Sequence, residues 1–468
     1  MKKLFRKLLC VTGLALMLST SALAVEATDN LLIAPAPPSS DIAIELNGEP
    51  LTFTDAVPQI VNDRTYLPFR TVFTALGFAD ENITFENETR TVCAVSDELT
   101  VSMVIGENKV TVTKGGETTV LDTDVPAFID PAVSRTFVPA RFVAEAADYR
   151  VGWNGDTRTV IIDDVDAILD ANQETYQVLD MYLDYARKFQ EKNYQVEGSY
   201  AAGMTLAQDV MELEGTYSML MADGTKFDFE TLMELAGTIE GEDLSAAVPE
   251  GIDFEMRGDM ENGMFYFKSD ALMTMLELGV ENMWFRLDLA TVMDSMAAET
   301  GMGYADLMMS QDMMADMDGE AYIDYVVRMM ADADPTTSVM DYLAMYNAML
   351  GDSAFTKNGK KYVAEMELDG TAMTMTILTS GGQANGYAID LAGQAEGVEM
   401  LMEISMEGKQ MEAVIKMAME DMDIEMTMDG TYTATSKKPA GQPSEEAAVL
   451  DLMEMLGTYE EVPVEPAE

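Results

Sequence analysis

Histidine is absent from all 468 residues. Without imidazole there is no His-based catalytic triad, no His ligand for zinc or copper, and no histidine switch near neutral pH. Cysteine is almost absent, with only Cys10 and Cys93. Cys10 falls in an N-terminal apolar run expected to be cut away, so the mature chain is expected to form no intramolecular disulfide. Basic side chains are scarce as well: 28 Lys and Arg stand against 83 Asp and Glu, a net charge of −55. Nucleic-acid phosphate needs a basic footprint, and an anionic membrane surface repels a polyanion, so the balance argues against both as partners. An acidic, solvated surface accounts for the charge; specific cation loading is the alternative. Past the N-terminus no segment approaches 18 uninterrupted apolar residues, so no membrane-spanning helix is expected.

What is present begins with "MKKLFRK", an apolar core "LLCVTGLALML" and the small-residue ending "STSALA". This order predicts a secretory signal peptide over 1–24, cut after Ala24. An exported chain without disulfides suits a bacterial surface better than a eukaryotic secretory route. Residues 25–40 read as a Pro-rich linker.

A phrase is then written twice, "RTYLPFRTVFTALG" from Arg64 and "RTFVPARFVAEAAD" from Arg135. In the first copy the hairpin "IAIELNGEPLTF" turns at Asn47-Gly48, a dipeptide suited to positive φ. Pro68 then opens a helix whose Phe69, Val72, Phe73 and Leu76 share one face, with Gly77 past its end. A second hairpin, "ITFENETRTVCAV", closes the unit. The second copy repeats the order with a turn at Gly115-Gly116, a helix from Pro139 and a closing hairpin about Asn154-Gly155. Its helix face is small (Ala140, Val143, Ala144, Ala147), and Asp148 replaces Gly77, so the two helices are expected to pack differently.

The hairpin, "RTYLPFR…LG", "RTFVPARFVAE" and the "W…TRTV" closing hairpin together resemble the copper amine oxidase N-terminal-like, or stalk, domain of exported bacterial proteins, over residues 41–164. The resemblance implies a small α+β module without the copper site. The oxidase chemistry itself needs three histidines and a modified tyrosine in a separate catalytic domain, which a chain without histidine cannot supply. The duplicated arginines read as ion pairs or carbonyl contacts at the helix starts, with a binding role as the alternative.

Residues 165–193 read as a connecting helix, and beyond them composition shifts: only Met1, Met17 and Met103 of 42 methionines precede residue 166. Strict alternation sets in, with Met400, Met402, Ile404 and Met406 on one face and Glu399, Glu403 and Glu407 on the other. "MDIEMTMDG" and "YVAEMELDGTAMTMTIL" behave alike, the second about Asp369-Gly370. Hairpins in series with one apolar face predict an acidic, Met-rich antiparallel meander over 194–433. Helices at about 290–351 interrupt it and are expected to cover its apolar side, with Asp334 as an N-cap. Residues 434–468 read as a flexible acidic tail with a short helix presenting Val449, Leu452, Met453 and Leu456. The fold class expected is therefore α+β: a duplicated hairpin–helix–hairpin module, then a larger, half-barrel-like antiparallel sheet with an inserted helical segment.

Methionine at period two beside Ile and Leu is what a sheet core produces; lining of an apolar-ligand cavity is the second reading and copper(I) the third. If a ligand is held, Met373, Met375, Met400, Met402 and Met426 are the candidate lining. The near-match to a calcium loop at 314–325 has Met314 and Tyr325 where Asp and Glu are needed. No catalytic constellation, metal set or cofactor motif stands out. The expectation is an exported, non-catalytic surface or envelope protein whose stalk presents an acidic binding or scaffolding domain to a cell-envelope component or protein partner. The alternative is a carrier of an apolar, lipid-like molecule in the Met-lined sheet.

Overall fold

The two copies of the repeated phrase lie side by side. In the computed structural model, which describes residues 42–452 apart from 63, 98, 142–145, 173, 191, 223–224, 240, 247, 249, 276–281, 301–302, 306–316, 369–370 and 396, the strand Arg64–Pro68 pairs antiparallel with Arg135–Pro139. Leu67 faces Val138 across this ladder, and both are fully buried. Gln59–Val61 and Phe128–Asp130 complete the four-stranded sheet. Arg64 reaches Asp124 at 2.5 Å and Arg135 reaches Asp55 at 2.5 Å, so each copy's arginine takes a carboxylate that precedes the other copy's phrase. Both pairs are half-exposed and worth about 0–1 kcal/mol each. Arg70 holds Asp80 and the carbonyl of Ile83. These are the ion-pair and carbonyl contacts expected of the duplicated arginines.

The outer hairpins exchange partners. Ala43–Leu46 turns into Glu49–Pro50 through Asn47 at φ 51° and Gly48 at φ 79°, the positive-φ pair the sequence signalled. Its long-range partner is the last strand of the second copy, Thr159–Asp163, which it pairs in parallel. The first copy's closing hairpin, Ile83–Glu86 with Thr91–Val95, extends into Leu99–Val104, Lys109–Lys114 and Glu117–Asp122 of the second. Helix Phe69–Ala75 buries Phe69, Val72 and Phe73. Phe73 contacts both Phe69 and Phe78, with ring centroids 4.5 and 5.1 Å apart. Of the second copy's expected helix, Ala140 is buried, while Val143 and Ala144 lie outside the described residues.

The helical interruption is placed differently from the expectation. Residues Glu320–Ala348 belong to the same compact unit as the module, not to the sheet they were expected to cover. They comprise most of two helices, Gly319–Ala333 and Val339–Leu350. Asp334 caps the loop between them instead of a helix, accepting from Thr336, Thr337 and Tyr342. Ser338 takes the N-terminal position of the second helix, its hydroxyl accepting from the Asp341 amide. The expected connecting helix is also two helices, Val165–Asp170 and Gln177–Gln190. The boundary between the compact units falls between them, at Glu174 and Thr175.

The second unit is built on one sheet of 15 strands. Two runs of antiparallel hairpins, separated in sequence by the helices, meet where Tyr194–Leu206 pairs with Met422–Ala434 along its whole length. One run spreads from this seam to Thr356–Asn358, the other to Met283–Asp288. Beyond Met283–Asp288 lies Ala448–Asp451, paired in parallel and tied by Arg286 to Asp451 at 2.7 Å. The tail residues Val449 to Asp451, expected in a helix, are thus an edge strand; Met453 and Leu456 lie outside the described residues. Helix Gln177–Gln190 packs on the apolar face, setting Tyr182 and Tyr185 against Tyr387 and Phe189 against Tyr194 and Tyr432.

Candidate functional site

Strand register assembles the methionines into rows across the sheet. Met366, Met373, Leu391, Met402, Ile415 and Met426 lie opposite one another in succession, and the row continues through Ala202 and Leu213. Met375 stands one row nearer the Tyr387 end, beside Ala364 and Ile389. Met400 stands one row the other way, between Gly393 and Met417, in a row that runs on through Ile424 to Met204 and Met211. All five predicted lining residues therefore share one face.

Their burial is graded. Met426 is 5% exposed and Met375 7%, whereas Met373 and Met402 are half-buried and Met400 is 40% exposed. Near the seam the face is sealed by its own side chains, with Leu244 and Val248 joining Met211, Leu213, Leu235 and Met426 in the core. Towards Met400 and Met417 it stays accessible. Full burial of one such side chain is worth roughly 1.5–3 kcal/mol, so a half-open methionine leaves part of that free energy for whatever covers it.

The other unit holds a buried charge. Asp163 is fully buried at the end of Thr159–Asp163, directly across the hairpin from Arg150. Arg150 donates to Asp163 Oδ2 at 3.0 Å and to the carbonyls of Ala331, Asp334 and Thr337. The same Oδ2 accepts from the Val339 amide, while Oδ1 has no partner. Burial pushes the Asp163 carboxyl above its ordinary range; the Val339 amide and Arg150 pull against it, and Asp341 adds to the rise. Glu45 is raised as well, by burial and then by Asp341 and Asp163. Gly152 lets the Pro335 carbonyl approach so closely that an added Cβ would stand 2.0 Å from it. The arrangement grips the loop 331–339. A charged pair facing across an otherwise apolar hairpin, "YRVGW" against "VIIDD", is the sequence signal that could have found it.

An open cleft of about 720 Å³ lies over Glu197, Glu230, Asp253 and Glu255, with Tyr217 and Phe254 in its wall. Its carboxylates are partly spoken for: Glu255 binds Lys268 at 3.2 Å, and Asp253 accepts from the amides of Asp270 and Ala271. Tyr432 is pushed up to about 12, by burial first and by Tyr387 second, so its hydroxyl stays protonated. Burial likewise raises the Cys93 thiol, which disfavours the nucleophilic thiolate. Among the described residues no group of three or more His, Cys, Asp or Glu could hold a metal ion. Among them, too, no helix is long and apolar enough to cross a membrane.

Residues 45–162 match the family model described as "Copper amine oxidase N-terminal domain". No curated protein matches the chain. Among solved structures, lipovitellin is 8% identical with a TM-score of 0.20, the match covering 55% of this chain and 26% of that one. This chain thus spans about a quarter of the lipovitellin chain. A putative outer membrane lipoprotein-sorting protein domain from Vibrio parahaemolyticus is 7% identical, TM-score 0.21, covering 56% and 94%. A DUF1329 family protein from Desulfovibrio piger is 6% identical, TM-score 0.21, covering 57% and 95%. Scores this low do not establish a common fold.

Proposed function

We propose that the protein is an exported, non-catalytic binding protein of the cell surface or envelope, in which a duplicated stalk module is joined to an acidic β-sheet domain that does the binding. The observation that carries this reading is the graded methionine face: a continuous apolar surface across many strands, sealed near the seam and open at Met373, Met402 and Met400. A sheet whose only task was structural would bury such a face throughout, because exposed apolar area is a standing aggregation liability. Methionine suits a surface that must fit more than one shape, since its unbranched, polarizable side chain adapts at little cost. Scaffolding through this face is the first reading. Carriage of an apolar, lipid-like molecule is the second, favoured by the same half-open rows. Native mass spectrometry of protein purified from its own envelope fraction, followed by organic extraction, separates them. Extra mass lost on extraction supports a carrier, and a protein partner retained through purification supports a scaffold. A bare chain from both preparations would refute the binding reading.

A further inference from the structure

The 15-stranded sheet is electrically polarised along its strands. On the sheet edge that carries the Met400 row, the described turns hold Glu420, Asp421 and Asp423 next to Met417, and Asp209, Glu242 and Asp243 farther along beside the sealed part of the face, with no Lys or Arg among the residues at 206–209, 241–246 or 419–423. At the opposite end the turns carry Lys360, Lys409 and Lys437, among other lysines. The cation closest in register to the acidic end, Lys416, is held by Glu425 at 2.7 Å. An apolar strip and an acidic border therefore meet at one place. The strip also has measurable dimensions. From Met373 to Met417 it crosses three strand spacings, about 14 Å at roughly 4.8 Å each. Its two rows, two residues apart along each strand, make it about 10 Å wide with side chains. A helix of about 10 residues fills that length, and a helix diameter of roughly 10–12 Å fills that width.

We propose that the strip between Met373 and Met417 docks an amphipathic helix with a basic face, supplied by a cationic partner, with its apolar side on the methionines and its Lys and Arg over the acidic end. The proposal rests on the reading that this face binds, and it names the partner's chemistry. Charge selects against the other occupants. A second copy brings another −55 charges. Of the chain's own segments outside the described residues within the sheet unit, 276–281, 306–316 and 453–468 contain acidic residues and no Lys or Arg, and the basic start "MKKLFRK" belongs to the stretch expected to be cut after Ala24. A neutral lipid would satisfy the methionines but leave the charged border unanswered. A basic helix answers both, and helix-in-groove recognition on a methionine surface supplies the apolar anchors at i, i+3, i+4 and i+7.

The test uses the full mature chain and three probes: melittin as a cationic amphipathic helix, nona-arginine as charge without an apolar face, and N-phenyl-1-naphthylamine as a neutral apolar molecule. Binding is read by calorimetry for the peptides and by fluorescence for the naphthylamine, at low and at about 0.5 M salt, where exposed charges are largely screened. Melittin is expected to bind at least tenfold more tightly than nona-arginine at high salt. Glu420→Lys with Asp421→Lys, both exposed turn positions, should weaken melittin about tenfold and leave the naphthylamine unchanged. Met400→Glu should weaken both. Melittin binding no tighter than nona-arginine, or indifferent to the turn reversals, overturns the proposal. Naphthylamine binding without melittin binding also overturns it and leaves the apolar-carrier reading standing. If neither binds, the underlying reading fails as well.

Discussion

Removing Arg150 tests the grip on residues 331–339. In Arg150→Ala the carboxylate of Asp163 keeps one donor, the Val339 amide, on Oδ2, and none on Oδ1. An uncompensated buried charge of this kind costs about 3–5 kcal/mol. The carbonyls of Ala331, Asp334 and Thr337 lose their guanidinium donor in the same step. A loss of about 4 kcal/mol is a large share of the roughly 5–15 kcal/mol that holds a domain folded. The pH dependence has a definite sign. Burial already raises the folded-state pKa of Asp163, so the folded form holds this proton more tightly than the unfolded chain does. Ionisation therefore costs stability as pH rises through the raised value, and the cost is absent below the ordinary carboxylate range. Without Arg150 the value rises further. The variant's deficit is then greatest at pH 7 and shrinks on acidification. Urea unfolding followed by Trp153 fluorescence, in a Trp284→Phe background, reports on this unit. Replacing both partners by apolar residues, Arg150→Met with Asp163→Leu, should recover the part of the loss due to the buried charge and abolish its pH dependence, while the cost of the unpaired carbonyls and the Val339 amide stays. A single-variant deficit under about 1 kcal/mol, or one that grows on acidification, would refute the reasoning.

Gly152→Ala should loosen the same loop, because its Cβ would meet the Pro335 carbonyl at 2.0 Å; faster tryptic cleavage after Arg328 is the readout. Fragment 42–174 should melt cooperatively and gain several degrees when a peptide spanning 320–348 is added, as followed by circular dichroism. Met426→Glu should unfold the sheet unit at a cost of several kcal/mol, Met426→Leu should be nearly neutral, and Met400→Glu should change the melt little. N-terminal sequencing of an envelope or culture fraction should begin at Val25.

The sequence by itself determined what is local. Alternation placed Met373, Met400 and Met402 on one face of their strands because a strand's side chains alternate regardless of its neighbours. Asn47-Gly48 specified its turn because few other residue pairs tolerate two positive φ values. The repeated phrase carried its family likeness in a short run of residues, and the match at 45–162 follows it. What the tertiary structure decided is non-local. Nothing in "YQVEGSYAAGMTL" names "MDIEMTMDGTYTA" as its partner across more than 200 intervening residues, yet their pairing fuses two meanders into one sheet. Helices Gly319–Ala333 and Val339–Leu350 looked like a lid for that sheet because they interrupt it in sequence. Residues 320–348 instead fold with the module, because Arg150, Asp163 and Gly152 form a site that satisfies their loop carbonyls and the Val339 amide. The acidic end has the same origin. Asp209, Asp243 and Asp421 are far apart along the chain, and only strand register, which fixes where each turn falls, gathers their charge along one edge of the sheet, with Asp421 beside the open methionines.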